Sequence, residues 1–137
     1  MANHEAAQPV EAVAMASASG AVASAEVVRV DYAMHRLEVT VRSATHGTSV
    51  KIGFGEVAAY RVMDERDFGE YWPACASPDG LLFQIRSGGW LAKERVRPGS
   101  CIAFHGDLRE YLVAGITDCV CVLCAAEPTI EPYQGVA

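Results

Sequence analysis

The sequence predicts a mainly β (α+β) fold: a curled, mostly antiparallel sheet of about seven strands, barrel-like or a small sandwich, with one short helix at 64–72. Three observations carry this expectation. From Glu26 onward apolar and polar residues alternate with a period of two in run after run, as in strands that bury one face. The runs are joined by short turn sequences, among them Ser77-Pro78-Asp79-Gly80, Gly88-Gly89 and Pro98-Gly99. No helical pattern between them is long enough to serve as a crossover, so neighbouring strands pair antiparallel.

With 137 residues the chain suits one domain with one core, expected over 26–133. Residues 1–25 are mostly Ala, Ser and Glu, offer little surface to bury, and are expected to form a disordered segment outside that domain. Val28, Val30 and Tyr32 then share one strand face, and Leu37, Val39 and Val41 another, with a hairpin around Ala33-Met34. Residues 43–49 form a loop, after which Val50, Ile52 and Phe54 continue the alternation. Ala58, Tyr60 and Val62 resume the same parity, and Gly53 with Gly55 suggests a bend between them.

The helix signal begins at Asp64, an N-cap residue, with Asp67 three residues on and Met63 and Phe68 spaced as a hydrophobic staple. Phe68, Tyr71 and Trp72 fall on one side, and Pro73 is expected to end the helix. Leu81, Phe83 and Ile85 then take up the strand period. Residues 91–97 fit either an edge strand or a helical turn, and 101–104 a short strand. A hairpin over 110–116 and 119–125 turns at Thr117-Asp118, and the tail from Pro128 should lie over the surface.

The net charge of −6 and eleven scattered basic residues argue against a nucleic-acid partner, which would call for clustered cations. No apolar run is long enough for a membrane span. Five cysteines, an odd number, and an N-terminus whose acidic Glu5 and Glu11 spoil any export signal point to reduced thiols in the cytoplasm.

No motif for a nucleophile, a phosphate-binding loop or a cofactor is present, so no catalytic residue, metal ligand or cofactor is assigned. Cys119, Cys121 and Cys124 have a spacing that suggests zinc or redox chemistry. On a strand, however, Cys124 faces away from the other two, and the three read as small buried residues. Asp64, Glu65 and Asp67 are explained by stabilisation of a helix start. Glu70 remains, together with the aromatic edges of Tyr71 and Trp72. Trp90 beside its glycine turn and His105 in a loop before Gly106-Asp107 complete the set of candidate binding residues.

Three stretches, AYRVMDERDFGEYW at 59–72, SGGW at 87–90 and REYLVAGITDCVCVL at 109–123, resemble an uncharacterised family of small single-domain bacterial proteins, over roughly residues 50–130. That resemblance implies no reaction and no site residues. By size and acidity the chain is analogous to immunity proteins, which neutralise a toxin by binding it. The expected function is therefore a non-catalytic, cytoplasmic, protein-binding protein, immunity-like in character. The competing expectations are a small-ligand or enzymatic site in the curled sheet using Glu70, Tyr71 or His105, and a homodimer formed through a strand edge.

Overall fold

Leu37, Val39 and Val41 leave one strand on the same side, and all three are completely buried. The computed structural model that shows this describes residues 8–15, 25–43, 47–75 and 80–133. Their strand, β3 (Arg36–Ser43), pairs antiparallel with β2 (Ala25–Ala33) and β4 (Ser49–Phe54), and β9 (Thr129–Pro132) adds to the far side of β4. The turn between β2 and β3 sits on Met34 (φ 51°) and His35 (φ 69°), the left-handed pair that a two-residue hairpin requires, so both side chains are held at its tip.

A second antiparallel sheet has the order β1 (Glu11–Ala14), β6 (Leu82–Ser87), β7 (Arg109–Val113), β8 (Asp118–Cys124), β5 (Val57–Asp64). The two sheets are open and stacked, a sandwich and not a barrel. The five-stranded sheet is covered on both faces. Leu82, Tyr111, Val113, Val120 and Val122 pack toward the four-stranded sheet, while Phe83, Ile85, Leu112, Cys119 and Cys121 pack under a helical layer. This is why β8 reads as a nearly continuous apolar run. Cys119 and Cys121 lie on the helical side and Cys124 between the sheets, as strand geometry demands.

The helical layer differs from expectation in form. Residues Glu65–Tyr71 make 3₁₀ turns broken at Phe68 (φ −112°, ψ 32°), and α1 (Trp72–Cys75) follows directly. Asp64 caps the segment, its Oδ1 accepting the Arg66 N–H at 2.9 Å. Pro73 does not end the helix; it occupies the first turn of α1, where its missing N–H has no partner to lose. Residues Trp90–Val96 form α2, and Ile102–Phe104 form a single 3₁₀ turn in place of a strand.

The described residues form nine strands instead of about seven. Glu11–Ala14 belong to the sheet and not to an outlying tail, because β6 offers them an edge to pair with and the helical-side core accepts Val10 and Ala12. The tail from Pro128 likewise becomes β9, with Ile130 against the inter-sheet core. Gly53 is there for that strand: a Cβ on it would lie 2.8 Å from the Thr129 Oγ1, so glycine lets β9 approach. In β5 a register shift between Val57 and Ala59 marks a bulge. Beyond it Tyr60 and Val62 share the face of Val122 and Val120 but remain exposed at the sheet edge, and Tyr60 stacks on Tyr32 at 5.1 Å.

Phe68 is fully buried where the 3₁₀ segment docks on the sheet. Phe68→Ala should cost about 3–5 kcal/mol in urea denaturation, whereas Met34→Ser at the exposed hairpin tip should stay within about 0.5 kcal/mol. Equal effects would show that Phe68 does not anchor the helical layer.

Candidate functional site

Helix α2 starts without a side-chain cap of its own, since its N-cap is Gly89. The acceptor comes from β7 instead. Alternation along β7 sends Tyr111 and Val113 toward the other sheet, and Glu110 and Leu112 toward the helical layer. Glu110 is there almost completely buried, at 1% exposure. Its Oε1 accepts the Leu91 N–H at 2.9 Å, and its Oε2 accepts the Tyr71 hydroxyl at 2.6 Å and the Trp90 N–H at 3.2 Å. The Trp90 N–H also points at the Tyr71 oxygen, 2.9 Å away, and the Cys121 thiol lies 3.5 Å from Oε2.

Burying a carboxyl group is costly unless donors surround it, and here four do. The glycines before the helix make the approach feasible. Gly88 has φ 76°, and a Cβ on Gly89 would sit 2.6 Å from Glu110 Oε1. The network therefore fixes where Trp90 and the first turn of α2 stand relative to the sheet.

That position creates a surface cleft of about 700 Å³. One wall is α2 and the loop after it, with Trp90, Glu94, Arg97, Cys101, His105 and Asp107; the other is the β2–β3 hairpin and the start of β5, with Tyr32, His35, Glu56 and Ala59. Glu94 is held in place by Arg97 Nε at 2.8 Å and by the Ser100 hydroxyl at 3.0 Å. Those two contacts, the Arg97 pairing foremost, pull the Glu94 carboxyl below its usual range despite desolvation. Three large apolar side chains that follow or precede cleft-lining residues in the chain are almost bare: Met34, next to His35; Val96, next to Arg97; and Phe104, next to His105, exposed by 84%, 80% and 85%.

Of the residues singled out from the sequence, only Trp90 and His105 meet in this cleft. Tyr71 is entirely buried, so it serves Glu110 and presents no binding surface. Trp72 is half-buried, donating its Nε1–H to the Glu65 carbonyl at 2.9 Å. Glu70 is exposed and paired with Lys93 at 3.5 Å, outside the cleft lining. Glu110, His35 and Cys101 were not singled out from the sequence. A lone glutamate opening an apolar strand is the one trace Glu110 leaves in it.

The thiols of the core are poor nucleophiles. Burial pushes Cys75 up to about 12, Cys119 to about 11 and Cys124 to about 12, and it raises Cys121 with a further push from Glu110. Among the described residues no three side chains of His, Cys, Asp or Glu are placed to share a metal ion. Comparison of the chain with protein-family models, with curated proteins and with solved structures gives no match.

Two tests follow from this geometry. Glu110→Gln places an amide where donors already point, and should cost about 1–3 kcal/mol with a changed near-ultraviolet signal from Trp90; an unchanged spectrum and stability would remove Glu110 as the anchor of α2. The thiols give a pH dependence of definite sign. The unfolded chain loses thiol protons near the ordinary value of 9.0, while the folded chain keeps them to about 11 or 12. Their stabilising contribution is complete below pH 9 and declines as pH rises through the folded values. Melting temperature should accordingly fall between pH 8 and pH 10.5, and the fall should be shallower in the Cys119→Ala, Cys124→Ala double variant.

Proposed function

We propose that this chain is a non-catalytic protein-binding protein whose partner docks over the cleft between α2 and the β2–β3 hairpin. The observation that carries the reading is the trio Met34, Val96 and Phe104, each at least 80% exposed and each next in the chain to a residue lining the cleft. Large apolar side chains held bare, each next in the chain to a residue that lines the same depression, are characteristic of a surface meant to be covered. Phe104 and Trp90 supply the aromatic anchors that such contacts favour.

Charge narrows the partner. Glu56 and Asp107 line the cleft and have no ion pair among the described residues, while Arg97 is already committed to Glu94. A basic protein surface with apolar side chains complements this arrangement. An immunity-like role, in which a small acidic protein covers the working surface of a basic one, fits the same features. Five free cysteines suit a reducing compartment, which supports a cytoplasmic setting. Among the described residues no helix is long and apolar enough to cross a membrane.

A second reading rests on the cleft's size. About 700 Å³ falls within the range of small-molecule sites, and His35, His105 and Cys101 would give a ligand polar contacts. The two readings part in one experiment. The wild-type chain and a Met34→Ser, Val96→Ser, Phe104→Ser variant of unchanged melting temperature serve as bait in lysate of the source organism, with light scattering to detect self-association. Retention of a stoichiometric basic protein by the wild type and its loss by the variant is the expected result. Equal retention by both, or recovery of none, would count against the apolar rim as a docking surface and favour the small-ligand reading.

A further inference from the structure

Arg61 lies on β5 opposite Cys121, so its side chain enters the helical layer. There its guanidinium carbon sits 4.7 Å from the centre of the Trp90 ring and 5.5 Å from that of Phe68. Aromatic faces attract the positive charge but accept none of its N–H groups in the plane of the fork. The Arg61 Nε is buried and has no hydrogen-bond partner among the described residues, and no carboxylate there forms an ion pair with this side chain.

Seven of the eleven basic side chains, Arg29, Arg42, Lys51, Arg66, Lys93, Arg97 and Arg109, pair with a carboxylate. Arg36, Arg86 and Arg95 do not, but among the described residues Arg61 alone of the cations has a buried nitrogen left without a partner. The buried carboxyl of the same layer, Glu110, is committed to Tyr71, Trp90 and Leu91. Arg61 is thus a partly buried cation, fixed in orientation by two rings, with donors left over. A buried donor without an acceptor is costly, and a planar fork of donors matches two oxygens of one oxyanion.

We infer that Arg61, stacked between Trp90 and Phe68, is a binding site for an oxyanion, a phosphate or carboxylate group that supplies two acceptor oxygens to the guanidinium. The site stands on the geometry of Arg61 alone and is independent of what covers the cleft. Trp90 belongs to both, because one ring covers Arg61 and lines the cleft wall. An oxyanion at Arg61 therefore sits beside the cleft's occupant, whether as a free ion or as a group carried by it.

The test is an NMR titration of arginine Nε–H resonances in the full chain at pH 7, with sodium phosphate in one arm and sodium acetate in the other, at constant ionic strength. The Arg61 resonance should shift and saturate with a half-point near ~1 mM in at least one arm, while the exposed Arg86 moves little and without saturation. Saturation by phosphate alone assigns a phosphate-bearing ligand, by acetate alone a carboxylate. Arg61→Lys, which keeps the charge and loses the fork, should raise the half-point about tenfold when followed by Trp fluorescence. If Arg61 tracks Arg86 in both arms, the inference is overturned, and this result is separable from any outcome of partner capture.

Discussion

One carboxyl group joins three segments that the chain itself keeps far apart. Glu110 on β7 receives the hydroxyl of Tyr71 from the 3₁₀ segment, two backbone N–H groups from the start of α2, and lies against the thiol of Cys121 on β8. Glu110, Tyr71 and Cys121 are all buried there, so the contacts around the carboxyl group stand or fall together. Gly89 and Glu110 act as a matched pair, in which the glycine leaves the room that the carboxyl group fills. The helix dipole adds to the match, since its positive end faces the carboxyl oxygens.

The consequences run outward from that point. The five-stranded sheet has one face committed to the other sheet through aliphatic side chains, and this interface is generic hydrophobic packing. Its second face carries the polar network, the stacked arginine and the short helices, and from there the cleft opens. Apolar packing and polar positioning are thus divided between the two faces of one sheet. The thiols of β8 suit this arrangement because they are small, and because burial holds them uncharged beside neighbours that carry charge.

Strand faces were legible in the sequence wherever the period of two was sharp. Leu37, Val39 and Val41 are buried as their spacing required, and the split of Cys119 and Cys121 from Cys124 followed from the same rule. The helix start at Asp64 was legible from capping chemistry. Its faces were not, because the break at Phe68 turns Tyr71 fully inward and leaves Trp72 half out, whereas an unbroken helix would have kept the three aromatics on one side. Trp90 and His105 were recognisable as residues near turns. That they share a cleft depends on α2, for which the local pattern was ambiguous, and on Glu110, whose partners at 71, 90 and 91 are joined to it by topology alone. Strands β1 and β9 escaped notice for a related reason. Each has four residues and gains its place from a waiting edge rather than from its own pattern.

The closing strand of the smaller sheet also bears on how the molecule is made. Thr129 stands opposite Gly53, and Ile130 opposite Ile52. During synthesis β4 emerges from the ribosome long before β9 exists, and for that interval its outer edge presents unpaired backbone groups beside a strongly apolar strand. Contacts between residues so distant in sequence form late and slowly. Until β9 has been released, a nascent chain of this protein is an incomplete sheet with an adhesive side, and for that interval it depends on the cell's capacity to keep such edges apart.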